Sequence, residues 1–541
     1  QDPIANAFVS VKEPKPPLHI WLLALFLHAV SDPLRAGRLL SVAAGAATVL
    51  AVFPLGRLLT RLGDPASAQR DRKGAGYGAA SAMLVATCPY LAFYDRLALA
   101  DGLVVLAGVI VAWLSLRLAR TASQPPGPQT PAKVGLLLGL ALGLAMLTRQ
   151  SFSYVLWLLP PLAFLVWPRR SPLRNALRRY FSAQLIALGV ALTLWAPYLF
   201  ARSDFDVWTR ILYHERFLRR GTGAAERART AVVNAVTIFS PFQPQPDGRW
   251  RFGLDVGWFW TYLTPPVAIL CVFGLVWLVL RNERRLAAFL AGWFLLTCAP
   301  LVLFATVLFP RYGVAVVVPL LLAGGRVAWL GIRPLREALG LRATALLACV
   351  VAVLLSWPIG AVVRQSADWR HQPLVAADRG QYIWGWPAGS AVRDAIQYIR
   401  SLSTHTPILV INVITEIAPN VGVTVAFEDD PRVRVFHADS ADLIASVESW
   451  TRGGPLYLRR DVLYSDPVSP TTPPAGARVL CVWPEPMIIE GKRITARSVA
   501  GWGTLVHRVT FRNPRVPRAY AEPAAISVAE MPESPRRSLY W

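Results

Sequence analysis

A chain of 541 residues that is 54% hydrophobic and only 16% charged, with a mean hydropathy of +0.41, is not an ordinary soluble domain. Such domains carry about 25% charged residues and do not gather their apolar residues into long uncharged runs. The net charge of +24 does not point to nucleic acid, because the basic residues form no continuous stripe with interleaved aromatics but punctuate the apolar runs.

The chain opens at Gln1, with no starting Met and no signal peptide, and so reads as a piece lacking its true beginning. The first stretch of interest is Glu13-Pro14-Lys15-Pro16-Pro17-Leu18-His19-Ile20-Trp21. Its prolines fix φ and deny a regular helix, so Lys15 sits on a stiff, extended backbone. Either this is a pinned cation waiting for an anion beside a membrane, or the prolines only break the chain and Lys15 faces water. The apolar piece 18–31 is too short to span and reads as a juxtamembrane helix on the outer surface.

Runs of spanning length follow at 39–56, 74–94, 102–116, 134–148, 150–168, 181–201, 256–280, 286–310, 312–325 and 343–363, ten in all. The expected fold is therefore a polytopic α-helical membrane protein, several of its spans interrupted by Pro or Gly where neighbouring helices cover the freed backbone. Twenty Lys and Arg residues fall in five connections, 57–73, 117–133, 168–180, 281–285 and 326–342, which marks these as cytoplasmic. The loop 202–255 and everything after residue 363 are then outside. Cys88, Cys271, Cys298 and Cys349 lie within apolar runs and Cys481 in the polar C-terminal part, with no disulfide framework or metal-type spacing, so packing is their expected role.

Outer connections should avoid Lys and Arg, which makes the exceptions informative. Arg96, Arg149 and Arg311 each occupy a tight outer hairpin, in Tyr94-Asp95-Arg96-Leu97, Thr148-Arg149-Gln150 and Phe309-Pro310-Arg311-Tyr312. Each alone is a helix end reaching to water; together with Lys15 they make the ring of cations that a lipid phosphate or pyrophosphate requires. Asp101 begins a span roughly 7 to 8 Å below the hairpin of Arg96, and an intramembrane carboxylate is either functional or the partner of a buried cation. In the 202–255 loop, Tyr213-His214-Glu215-Arg216-Phe217-Leu218-Arg219-Arg220 suits an amphipathic helix, followed by the hinge-like Gly221-Thr222-Gly223. No nucleotide-binding loop, dinucleotide fingerprint, His-Glu-x-x-His or Cys-x-x-Cys pair is present.

After residue 363 strands and amphipathic helices replace the apolar runs. Gly389–Ser401 and Ala441–Trp450 read as helices; Ile408–Val413, Gly422–Phe427 and Val433–Phe436 read as strands. Leu456–Tyr464, Arg478–Trp483 and Thr504–Phe511 would extend the sheet, and the proline-studded end is expected to be irregular. The expected division is 1–35 outer loop and juxtamembrane helix, 36–363 membrane domain, 364–513 periplasmic α/β domain and 514–541 tail.

Lys15-Pro16-Pro17-Leu18-His19-Ile20-Trp21, Arg38-Leu39-Leu40-Ser41, Arg96 through Asp101, and Arg311-Tyr312 with Pro319 following resemble, in that order, the polytopic GT-C glycosyltransferases. The nearest branch is that of bacterial aminoarabinose transferases and dolichyl-phosphate-mannose protein mannosyltransferases. The resemblance covers roughly 10–330. It implies a transferase that moves a sugar from a polyprenyl-phosphate-linked donor to a hydroxyl on a glycan, lipid or protein acceptor, at the outer face of a bacterial cytoplasmic membrane. It also implies donor-phosphate binding by Lys15, Arg149, His214, Arg219, Arg311, Tyr312 and Arg96, and support of the site by Asp101, the catalytic candidate within these spans. The family's catalytic Asp would lie upstream of Gln1; within the chain Asp2 is the nearest substitute. Membrane lipid is an implied partner, nucleic acid is not, and no cofactor is certain, a divalent metal being left open. Two other readings stay open: a non-catalytic lipid-phosphate-binding component of an envelope assembly complex, and a secondary transporter, although no matching halves are seen.

Overall fold

The computed structural model describes residues 16–63, 71–125, 130–200, 224–240, 242–244, 250–252, 257–305 and 309–367, and in the C-terminal part chiefly the elements within 374–378, 392–438, 455–511 and 524–530. Two compact units meet at Val375 and Ala376.

The first unit is helical. In chain order it contains α1 (Leu18–Ala29), α2 (Pro33–Gly63), α3 (Asp71–Ala86), α4 (Pro89–Tyr94), α5 (Asp101–Ser123), α6 (Pro131–Thr148), α7 (Gln150–Leu156), α8 (Leu159–Val166), α9 (Leu173–Phe200), α10 (Ala224–Phe239), α11 (Trp258–Leu263), α12 (Pro265–Leu280), α13 (Arg284–Phe304), a 3₁₀ helix (Pro310–Val316) and α14 (Val317–Ala367). Among the described residues six helices are long and apolar enough to cross a membrane, and four shorter apolar helices join them, α1 included. The chain is a multi-pass membrane protein.

Prolines explain why three of the expected spans are divided. Cys88-Pro89 separates α3 from α4, Pro160 and Pro161 open α8 within its first turn, and Pro265-Pro266 open α12. A proline in the first turn costs no hydrogen bond, whereas the residue before it is pushed out of the α region. Thr264, just before Pro265, takes φ 65°, a conformation uncommon outside glycine.

The contact of α6 with α9 rests on small residues. Gly135, Gly139 and Gly143 recur every fourth residue on α6; a Cβ added at the first two would run into the backbone at Ala183 and Ala187 of α9, and one added at Gly143 into the Leu194 side chain. That spacing brings two backbones together without a hydrophobic driving force, as apolar helices in lipid require.

One expected connection is absent as such. The runs 312–325 and 343–363 do not flank a loop at 326–342; residues 317–367 form the single helix α14. Arg326, expected to be a loop charge, is buried and makes two hydrogen bonds of 3.0 and 2.7 Å with the Glu283 carboxylate, its guanidinium 5.5 Å from the Tyr77 ring centroid. Burial behind a bidentate partner removes it from the solvated charges that helix–loop patterns reveal.

The C-terminal unit is α/β. Helix α15 (Val392–Ser403) precedes β3 (Ile408–Val413), α16 (Val421–Ala426), β4 (Val433–Ala438), β5 (Leu456–Leu458), β6 (Ser469–Thr471), β7 (Arg478–Glu485), β8 (Met487–Ile489), β9 (Lys492–Ile494), β10 (Thr504–Phe511) and β11 (Ala524–Glu530). Strands β1 (Phe242–Pro244) and β2 (Trp250–Phe252) form a hairpin in the first unit. The five-stranded sheet has the order β10-β11-β7-β3-β4, with β7, β3 and β4 parallel. Its core includes Ala395, Ile399, Val410, Val423 and Leu480.

Three expectations for this unit are corrected. Gly422–Phe427 is helical, because two adjacent parallel strands, β3 and β4, need a crossover, and a helix supplies it. Of Leu456–Tyr464 the described part is Leu456–Leu458, and that strand pairs with β6 in a separate ribbon rather than extending the sheet, the rest lying outside the described residues. The terminal segment is not wholly irregular: β11 occupies the proline-free interval between Pro523 and Pro532 and lies inside the sheet between β10 and β7. The expected helix Ala441–Trp450 lies almost wholly outside the described residues.

Candidate functional site

Chain breaks at helix ends build the site. The α6–α7 junction consists of Arg149 alone, in extended backbone at φ −163°, so the two helices change direction and project its side chain from their corner. Ser153 Oγ donates 2.6 Å hydrogen bonds to the carbonyls of Ala145 and Arg149 and fastens that corner.

The Arg149 guanidinium meets the carboxylate of Asp101, at the N-terminus of α5, in an ion pair whose side chains are 19% and 7% exposed. It also stands 4.7 Å from the ring centroid of Tyr312, while Arg311 stands 5.3 Å from the same ring and 5.1 Å from that of Phe309. One tyrosine ring thus gathers two guanidinium groups from positions 149 and 311. Two planar guanidinium groups side by side, with the N–H groups Arg149 does not spend on Asp101, suit an anion with several acceptor oxygens.

The 3₁₀ helix that carries Arg311 and Tyr312 is fixed from behind. Tyr90 of α4 donates its hydroxyl hydrogen to the Pro310 carbonyl, and its ring stacks on Tyr262 of α11 at 4.6 Å and 7°. A side chain at Gly313 would strike the Tyr90 hydroxyl. Asn234 of α10, buried, donates from its amide to the carbonyls of Leu301, Val302 and Ala305, where α13 ends ahead of the same segment.

Arg96 keeps different company. Half-buried, it is held below the ordinary arginine pKa by burial and secondly by Arg38. The connection that carries it is locked to α2 by Ser41 Oγ donating to the Leu99 carbonyl and by close contact of Gly37 with Ala98. Next to it, Asp95 fills a notch between Gly45 and Gly102, and burial pushes its carboxyl up to about 7.

Of the residues singled out by sequence, the structure brings together Asp101, Arg149, Arg311 and Tyr312. Asp2, Lys15, His214 and Arg219 lie outside the described residues. Tyr90, Tyr262, Asn234 and Asp95 carry no signal that sequence patterning reveals, since each acts through a tertiary contact. His19 stood in the quoted motif without a role; α1 places it within electrostatic range of Asp101. Among the described residues no group of three or more His, Cys, Asp or Glu could hold a metal ion.

Comparison with known proteins follows this geometry. Residues 14–200 match a family described as dolichyl-phosphate-mannose-protein mannosyltransferase. Two proteins named undecaprenyl phosphate-alpha-4-amino-4-deoxy-L-arabinose arabinosyl transferase are each 29% identical to the chain. The match to the one from Pseudomonas paraeruginosa extends over 351 residues, 63% of this chain and 54% of the relative. That to the one from Pseudomonas aeruginosa extends over 294 residues, 53% and 44%. The chain therefore spans about half the length of the curated relatives it matches. Among solved structures, ArnT from Cupriavidus metallidurans in the apo state aligns at 16% identity over 95% of this chain and 87% of that chain, with a TM-score of 0.47. The sequence matches bear out the likeness to GT-C membrane glycosyltransferases; Asp101 and Arg149 fall within the matched family region, Arg311 and Tyr312 beyond it.

Proposed function

Starting from a chain that resembles the GT-C membrane glycosyltransferases, we propose that it transfers a sugar from a polyprenyl-phosphate-linked donor, of the undecaprenyl phosphate class, to a hydroxyl acceptor at the outer face of the cytoplasmic membrane. The observation that carries this reading is the pair of arginines, 149 and 311, on one tyrosine ring. A guanidinium that already holds a carboxylate is oriented before the ligand arrives, which lowers the cost of organising the site when charge develops.

The reaction is a single displacement at the anomeric carbon. The acceptor oxygen forms the new bond, the bond from that carbon to the phosphate oxygen breaks, and the lipid phosphate leaves with the electron pair. Arg149 and Arg311, joined by Lys15, meet its negative charge. The acceptor proton passes to a carboxylate. Asp101 is the carboxylate on the described site; it already pairs with Arg149, so its first task is to hold that guanidinium.

The test is turnover of undecaprenyl-phosphate sugars by purified protein in lipid nanodiscs. Arg149→Ala and Lys15→Ala should each lower the rate by about 10²-fold or more, by analogy with loss of an oxyanion donor, while the protein stays monodisperse. Unchanged turnover in both variants would remove the phosphate role. A non-catalytic lipid-binding protein would instead bind the lipid phosphate and show no turnover with any acceptor.

A further inference from the structure

Helices α2 and α5 leave an apolar groove of about 410 Å³ between them, lined by Ala47, Ala51 and Pro54 from one and Leu106, Ile110 and Trp113 from the other. It is open to the outside, Leu50 at its lip being 74% exposed. Ser41 Oγ, near the start of α2, bonds the Leu99 carbonyl just before α5, so the two helices run parallel and their C-terminal ends lie on one side. Each set of lining residues is spaced by four and then three positions, which makes it a single stripe of its helix. The same spacing leads on to Arg61, seven positions beyond Pro54, and to Arg117 and Arg120, four and seven beyond Trp113. Both stripes therefore pass from the groove into arginine. The Arg117 guanidinium lies 4.6 Å from the Trp113 ring centroid, at the very end of the groove, and Arg61 and Arg117 both act electrostatically on Arg120.

The three arginines are half-buried, and among the described residues none of them pairs with a carboxylate. Arg117 stands over Trp113, and Arg120 donates at 3.4 Å to the neutral side-chain oxygen of Gln124. The connections that follow, 57–73 and 117–133, hold eight Lys and Arg against two Asp. Like charges gathered at the end of an apolar trough repel one another unless an anion sits among them, and guanidinium is the group whose fork matches a phosphate. We propose that α2 and α5 form a binding site for an anionic phospholipid of the leaflet that faces these basic connections, with an acyl chain in the groove and the headgroup phosphate held by Arg61, Arg117 and Arg120. The inference stands independently of the function proposed above.

A phospholipid matches both halves of the site. The groove follows each helix for about 10 Å, and the first arginine comes about 6 Å beyond Trp113, so chain and charge are met in the order in which a lipid presents them. A soluble phosphate would satisfy the guanidinium groups and cover none of the groove; an apolar helix would cover the groove and meet none of the charge. The arginine pair of the candidate site is a separate place, because Asp101 opens α5 and lies about 24 Å along its axis from Arg117.

The experiment is native mass spectrometry of the whole chain in detergent, titrated with tetraoleoyl cardiolipin, dioleoyl phosphatidylglycerol or dioleoyl phosphatidylcholine. Wild-type protein should hold both anionic lipids about tenfold or more tighter than phosphatidylcholine. Arg61→Gln and Arg117→Gln should each weaken the anionic lipids by about fivefold, and the triple replacement with Arg120→Gln by about 10²-fold, while phosphatidylcholine binding stays as it was. Ala51→Leu, which fills the groove and leaves every charge in place, should weaken all three lipids. Arg174→Gln, at an exposed arginine of another basic connection, should weaken none. Equal binding of the three lipids by wild type, unchanged binding in Ala51→Leu, or a loss in Arg174→Gln as large as that in Arg117→Gln overturns the site in favour of diffuse surface attraction. Undecaprenyl phosphate that displaces cardiolipin equally well from wild type and from Arg149→Ala would make that lipid the occupant and overturn the phospholipid.

Discussion

Arg149 shows what one residue can do when a helix ends on it. Its extended backbone turns the chain between α6 and α7, and its guanidinium is committed to Asp101 and to the Tyr312 ring at once. Its charge was legible in the sequence as a basic residue where a short connection should have none. The Asp101 pairing was legible only in kind, as a buried carboxylate wanting some cation, because a separation of 48 positions leaves no periodic trace. Asp95 was not legible at all: its environment is made by two glycines from α2 and α5, which write no side-chain pattern. That environment has a consequence for pH. With its carboxyl raised from 3.8 to about 7, the native state keeps a proton that the unfolded chain has released, so stability falls as pH rises from 3.8 to 7 and is level above. Asp95→Asn should therefore raise Tm by roughly 3 to 6 °C at pH 8 and by little near pH 4. Thermal unfolding in detergent across that range checks it, and a pH-independent change would contradict the assignment.

At the scale of elements, the apolar runs predicted helices well and predicted their joints poorly. Helix pairs such as α3 and α4 read as one span because apolar content ignores a single proline; the C-terminal helix α16 read as a strand because Val-Gly-Val-Thr-Val alternates, and only the crossover between parallel strands overrides that alternation. The Gly135, Gly139, Gly143 stripe makes a direct prediction. Gly139→Val would press its side chain against the α9 backbone at Ala187, pushing α9 away from the helix that ends on Arg149. We expect destabilisation of about 1 to 3 kcal/mol, with activity falling in parallel, whereas Gly189→Ala, which meets nothing within 4 Å, should be neutral. The Glu283–Arg326 pair makes another. Its side chains are 12% and 7% exposed, so Arg326→Ala would strand a buried carboxylate and cost about 3 to 5 kcal/mol. The double replacement Glu283→Met with Arg326→Met should recover most of that loss in Tm, since the pair's removal leaves no charge behind.

The whole molecule turns on how α14 is accommodated. At 51 residues and about 1.5 Å per residue it is roughly 77 Å long, more than twice the hydrocarbon thickness of about 30 Å. If it crossed the membrane once, its far half would carry the apolar run 343–363, including Leu346, Leu347, Val350, Val351, Val353, Leu354 and Leu355, into water with no matching apolar partner face required by its sequence. Hydrophobic burial of about 20 such residues greatly outweighs the cost of breaking one helix near its middle, which is a few kcal/mol. Arg333-Pro334 supplies the place, because proline removes the hydrogen bond that would hold the turn together. In a bilayer α14 should therefore fold back as two crossings with the basic segment around Arg333, Arg336 and Arg342 on the cytoplasmic side. Parity then decides where the α/β unit lies. Reporters fused at Arg174 and at Ser390 should read opposite sides if α14 crosses twice and the same side if it crosses once.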